Sequence, residues 1–161
     1  MKRLTALLIL TVLLLSGCMK SKPNAQRYRS SLSAAGLADA AGTALPGEFR
    51  TADADYLTDY VTLPQAGMTL CVRVATGGDC IDEYGVLHTD TDAEGAERLL
   101  REYLTRSYEQ NRTFYDSYIP AETPKLRDAE VRRFGDYVVY AVLSPAERKT
   151  FFSAVKNALA Q

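Results

Sequence analysis

From Leu4 to Leu15 the chain runs 12 residues without a charge, diluted only by Thr5, Ala6 and Thr11, directly behind the cations Lys2 and Arg3. As a helix this run would reach about 18 Å, against roughly 30 Å for the hydrocarbon core of a bilayer. It is short for a membrane span and the right length for the apolar part of an export signal. Small residues follow at Ser16 and Gly17, where a signal peptidase has to close around the backbone, and Cys18 comes next. Residues 1–17 are therefore expected to be removed, which leaves 144 residues to fold. That is enough for one domain with its own core and too few for two.

The segment Leu15-Ser16-Gly17-Cys18 resembles the lipobox of bacterial lipoproteins. The resemblance implies that the Cys18 thiol carries a diacylglycerol and that the chain is cut just before it. Acyl chains such as palmitate contribute about 0.8 kcal/mol per buried methylene, so two chains make a stable anchor where one is marginal. The expected address is the extracytoplasmic face of the cell membrane, with the membrane itself as the first partner.

Residues 18–30 read as a flexible tether, because Pro23, Asn24, Gln26 and serines leave almost nothing apolar to bury. Loss of Lys2 and Arg3 takes the 19 cations to 17 against 20 acids, a net charge of −3. Four of those cations, Lys20, Lys22, Arg27 and Arg29, precede the first acid, Asp39, so residues 33–161 carry 13 cations against 20 acids. The stem is basic, suited to an anionic bilayer surface or simply to a soluble spacer. The acidic domain, without a basic stripe interleaved with aromatics, argues against a nucleic-acid partner.

Residues 31–161 read as a single α+β domain. Leu32, Leu37, Ala41 and Leu45 lie on one side of a first helix over Ser31–Leu45, stopped by Pro46-Gly47. Tyr56, Leu57 and Tyr60 predict a short helix over Asp53–Val61. Met68–Ala75, the turn Thr76-Gly77-Gly78-Asp79 and Cys80–His88 predict a β-hairpin, with Leu70, Val72 and Val74 on one face and Cys71 and Arg73 on the other. Asp90, Thr91 or Asp92 caps a long helix from Ala93 to Tyr115, buried along Leu100, Tyr103, Leu104, Ser107, Asn111 and Phe114. Its outer face carries Glu94–Arg98, Glu97–Arg101 and Glu102–Arg106, each with the acid four residues before the base. A Pro120–Pro124 loop leads to a second hairpin, Ala129–Phe134 and Tyr137–Leu143 about a Gly135-Asp136 turn. Ser144-Pro145-Ala146-Glu147 opens the last helix with a capping box and Pro at its first position, and Phe151, Phe152, Val155 and Leu159 form its core face. A lone two-stranded sheet is marginal in water, so the two hairpins are expected to join as a four-stranded antiparallel sheet. The long central helix and the C-terminal helix would pack on one face of it.

The chain thus presents in order a lipobox, a tether, an apolar hairpin, a charged helix with Phe114-Tyr115 and Tyr118-Ile119-Pro120, the Gly135-Asp136-Tyr137-Val138-Val139 hairpin and a short terminal helix, motifs that are structural in kind. It resembles a family of small Gram-positive bacterial lipoproteins, the domain of unknown function 4358 family, over most of residues 31–160. The resemblance implies an extracytoplasmic domain and transfers no catalytic residue.

Among candidate sites, Cys71 and Cys80 are the cysteines left in the mature domain and suggest a disulfide outside the cytoplasm. A two-residue Gly77-Gly78 turn would set Ala75 opposite Cys80 and leave Cys71 two rungs away, beyond bridging distance; a wider loop would bring the two together. His88 is the one histidine, which leaves no multi-histidine metal site and no freely built Ser-His-Asp triad. Asp90 and Asp92 beside it, with Asp79, Asp82 and Glu83 across the hairpin, are better explained by helix capping than by a cation site. Tyr56, Tyr60, Tyr103, Tyr137 and Tyr140 are needed for the core, whereas Tyr115 and Tyr118 would sit on a loop rim. No catalytic residue, metal or cofactor is assigned. Three functions remain open: a non-enzymatic module binding an envelope protein or small ligand, a carboxylate-dependent envelope hydrolase built on Asp82, Glu83, His88 and Asp90, and a ligand-sensing fold around a pocket of Tyr and Phe.

Overall fold

The computed structural model describes Tyr28, residues 31–62 and residues 66–160. The signal region, Cys18 and the tether other than Tyr28 lie outside the described residues. The elements run α1 (Ala34–Gly42), β1 (Phe49–Thr51), β2 (Met68–Ala75), β3 (Glu83–Thr89), α2 (Ala93–Tyr118), α3 (Thr123–Arg127), β4 (Glu130–Phe134), β5 (Tyr137–Val142) and α4 (Pro145–Leu159).

All six residues of β5 are buried. A strand covered on both faces has to sit inside a sheet flanked by helices on both sides. The five strands form one antiparallel sheet in the order β1-β2-β3-β5-β4, with the two hairpins joined through β3 and β5. Tyr137, Val139 and Ala141 face a layer made by α1 and α4, where Leu37, Phe151 and Val155 are fully buried. Val138, Tyr140 and Val142 face α2 through Leu100, Tyr103 and Leu104. The antiparallel sheet with a central and a C-terminal helix is as expected, but the two helices lie on opposite faces. The fifth strand, β1, adds an edge beside β2 (Phe49↔Ala75, Thr51↔Arg73). Three residues are too few to display a period of two in the sequence.

Local signals place most boundaries. Ser33 Oγ accepts from Gly36 N at 3.0 Å, so α1 starts three residues later than its apolar spacing suggested. Asp53–Val61 does not form the expected helix. Its closures are mainly three-residue turns, Tyr56 N to Asp53 O and Thr58 N to Asp55 O, and Thr58 Oγ1 also bonds the Asp55 carbonyl. The Thr58 hydroxyl thus takes a backbone carbonyl within the segment, a local bond of the kind that competes with a short helix. Leu57 and Val61 still bury their side chains from these turns.

The first hairpin closes at Ala75 N to Asp82 O, 2.9 Å, around a loop of Thr76–Ile81 in place of a two-residue turn. The return strand therefore begins at Glu83, and Cys71 pairs with Val86. In the second hairpin Phe134 pairs with Tyr137 across Gly135-Asp136, with Gly135 at φ +63°, as a tight hairpin turn demands.

Asp92 caps α2 by accepting from Gly95 N at 2.8 Å. Glu97–Arg101 and Glu102–Arg106 pair at 2.8 and 2.5 Å. The helix runs on to Tyr118, where Ile119 leaves helical backbone ahead of Pro120. Twenty-six residues reach about 39 Å, well past strands of seven or eight residues at roughly 25 Å. The overhang leaves Phe114 55 % exposed and Tyr118 72 % exposed, against the buried position expected for Phe114. In α4 the Ser144–Glu147 capping box and Pro145 are in place, and Phe151, Phe152, Val155 and Leu159 are buried as expected. Tyr28, within the expected tether, lies edge-on to Phe134 with ring centroids 5.6 Å apart.

Candidate functional site

The first residue of β3 is a glutamate aimed into the α2 layer. Glu83 pairs with Val142, which puts its side chain beside Tyr140, two residues along the same face of β5. The Tyr140 ring can lean toward it because its own cross-strand partner is Gly85. A Cβ at Gly85 would lie 2.2 Å from Tyr140 Cε1. A glycine in a central strand marks this kind of close approach.

Three phenols converge on the Glu83 carboxylate. Tyr103 from α2 donates to Oε1 at 2.7 Å, Tyr140 donates to the same oxygen, and Tyr56 from the turn segment donates to Oε2 at 2.9 Å. Glu83 is only 6 % exposed and has no cationic partner among the described residues. Burial raises its pKa above the ordinary carboxylate range, and the hydrogen bonds from Tyr140, Tyr103 and Tyr56 pull the other way without cancelling it. Burial, followed by the Glu83 charge, pushes the Tyr103 and Tyr56 hydroxyls well above the normal phenol range.

A cavity of about 230 Å³ opens onto this cluster. The rings of Tyr56, Tyr60, Tyr103 and Tyr115 wall it, with Ser107 and Asp82 among the polar lining. Tyr60 and Tyr103 meet edge-on at 5.3 Å, and the Tyr60 hydroxyl accepts from Asn111 Nδ2 at 3.1 Å. At the rim, Cys80, Asp82 and Glu122 bring donor atoms within 4.8 Å of one another, a spacing that could hold a metal ion. The Lys125 ammonium already stands among them, 2.6 Å from Asp82, 2.9 Å from Glu122 and 3.9 Å from Cys80 Sγ. Burial opposes the charge on Lys125, and the hydrogen bonds with Asp82 and Glu122 overcome it, so its pKa is raised. The Lys125 ammonium occupies the space between the two carboxylates and ties the end of the hairpin loop to α3. A larger groove of about 540 Å³ beside β2 is lined mostly by Ala, Leu and Thr side chains. Its Arg73 is committed to Asp39 at 2.5 Å.

The residues expected from the sequence divide. Asp82 and Glu83 share the cavity. His88 lies five residues further along β3 on the opposite face, its ring 4.6 Å from that of Tyr137 and its Nε2 3.7 Å from Asp90. Asp92 is spent on the α2 cap and Asp79 is exposed in the loop. The four-residue Asp82, Glu83, His88, Asp90 constellation does not converge, because strand alternation sends residues 83 and 88 to opposite sides. Cys71 and Cys80 are both free. Even with the wider loop they are not brought together: Cys71 points into the α1–α4 layer and Cys80 lines the cavity on the other face. Burial pushes both thiols up, away from the reactive thiolate form.

Sequence reasoning placed Tyr103 and Tyr140 in the core and missed that their hydroxyls, with that of Tyr56, meet at Glu83. The available signal was chemical. A buried tyrosine needs an acceptor for its O–H, and Glu83 is the acid of a strand that is otherwise uncharged up to His88. No family model, curated protein or solved structure matches the chain.

Proposed function

We propose that the protein is a lipoprotein held on the extracytoplasmic face of the cell membrane through lipidated Cys18, in keeping with its resemblance to small Gram-positive lipoproteins. Its domain is a non-enzymatic binding module that takes a small polar ligand in the Glu83 cavity. The observation that carries the binding reading is a buried carboxylate held by three phenols at the base of an open, tyrosine-walled cavity. Such an arrangement is costly to build and is typical of a ligand site, where a few converging polar groups sit among aromatic walls. The hydrolase alternative has less support, since Asp82 is tied to Lys125 and His88 lies on the far side of the sheet. The anchor reading rests on the order of charge, apolar run, small residues and Cys18. No helix among the described residues is long and apolar enough to cross a membrane.

Mass spectrometry of the native protein should find an acylated amino-terminal Cys18, and Cys18→Ala should move the protein from the membrane to the soluble fraction. An unmodified thiol at that position, or unchanged fractionation of the variant, would refute the anchor.

A further inference from the structure

We infer that the ligand of the Glu83 cavity is a small organic ammonium compound, an inference that rests on reading this cavity as a ligand site. The argument begins with hydrogen-bond direction. Tyr56, Tyr103 and Tyr140 all direct their protons inward at Glu83, so their hydroxyl oxygens keep only lone pairs for anything else. Two of these phenols, Tyr56 and Tyr103, line the cavity itself. Its base is therefore rich in acceptors, and the group that complements it is a donor.

Charge selects among donors. Asp82 and Glu122 share the Lys125 ammonium, whereas Glu83 is a buried acid with no counter-cation among the described residues. A neutral donor offers an ionised Glu83 no counter-ion in a low-dielectric site, whereas an ammonium does. The walls favour the same choice. Tyr56, Tyr60, Tyr103 and Tyr115 surround the space with aromatic rings, and ring faces attract cations, more strongly when water is excluded. Arg50 stands at the opening with its guanidinium turned to the Thr51 carbonyl at 3.4 Å, so the fixed cation belongs to the mouth and not to the base. A volume of about 230 Å³ admits a compound with a handful of heavy atoms.

Binding has a proton consequence. The groups facing Glu83 are Tyr140 from β5, Tyr103 from α2 and Tyr56 from the turn segment, with Asp82, Lys125 and Arg50 the charges nearest the rim. An arriving ammonium favours the carboxylate, so a Glu83 that carries a proton in the free protein gives it up to solvent as the ligand enters.

The test compares n-butylammonium, butanol and butyrate, three probes of similar size and different charge. Each is titrated into the full lipidated chain in detergent, and ring signals are followed by NMR with labelled tyrosine. Butylammonium should shift the cavity tyrosines saturably, while butanol and butyrate should not. Glu83→Gln should weaken butylammonium about tenfold or more, the loss expected for a charge-assisted hydrogen bond. Calorimetry of butylammonium in two buffers of different ionisation enthalpy should detect proton release. If butanol or butyrate saturates the same signals at lower concentration than butylammonium, the ammonium inference is overturned and the cavity stands as a ligand site. If none of the three moves a cavity tyrosine, both readings fall. The comparison of probes on the unmutated chain holds even if Glu83→Gln folds poorly.

Discussion

Replacing Tyr140 with Phe removes one hydroxyl oxygen from the centre of the protein and leaves the ring, its packing over Gly85 and its edge contact with Tyr103 at 5.5 Å in place. The loss is therefore that of a single hydrogen bond to the Glu83 carboxylate. At a pH above the raised Glu83 value, where the acid is ionised, such a bond is worth about 1.5–3 kcal/mol, and burial keeps water from replacing it. Glu83 Oε1 retains the Tyr103 donor at 2.7 Å, which spares it the full cost of an orphaned oxygen. The expected destabilisation is thus about 2 kcal/mol, or a drop in Tm of roughly 6–8 °C for a domain of this size. Tyr56 makes the chemically equivalent bond to Oε2 at 2.9 Å, but it is 37 % exposed, and water can take its place. Tyr56→Phe should cost only about 0.5–1 kcal/mol. Urea and thermal unfolding followed by circular dichroism would measure both variants side by side. The reasoning fails if Tyr140→Phe lies within about 0.5 kcal/mol of the parent, or if Tyr56→Phe is the more damaging of the two.

Two further outcomes follow from the same cluster. Because burial raises the Glu83 pKa in the folded state above 4.5, the native protein keeps a proton that the unfolded chain has already lost. That contribution is complete below the ordinary glutamate range and fades as pH rises through the raised value. The stability of Glu83→Gln relative to the parent should therefore improve as pH rises above the ordinary glutamate range in urea titrations, and a difference that does not change with pH would contradict the shift. Gly85→Ala would drive a Cβ to 2.2 Å from a ring that cannot move aside, at a cost of about 3 kcal/mol. A Gly85→Ala variant as stable as the parent in the same assay would mean that the Tyr140 ring does not rest on that backbone.

How much of this was legible in the chain depends on the range of the interaction involved. The Asp92 cap, the Ser144–Glu147 capping box, the Gly135-Asp136 turn and two of the three ion pairs expected on α2 were readable, since each is decided by residues within four positions of one another. The unbroken run YVVYAV in β5 also carried more than was drawn from it. A strand apolar at every position calls for cover on both faces, which would have separated α2 from α4. Asp53–Val61 misled because helical spacing of Tyr56, Leu57 and Tyr60 says nothing about the three-residue turns and the Thr58 hydroxyl bond that take up the backbone between them.

The sequence by itself determined the second hairpin, the apolar strand that opens the first hairpin, and the starts of α2 and α4, all written in short-range patterns. Only the tertiary structure decided the rest: the loop that begins β3 at Glu83, the opposite faces of Glu83 and His88, and the meeting of Tyr56, Tyr103 and Tyr140 on one carboxylate. Those three tyrosines lie 20 to 57 residues from Glu83 along the chain. Nothing local requires them to meet; the register of β3 against β5 and the packing of α2 over that face bring them together.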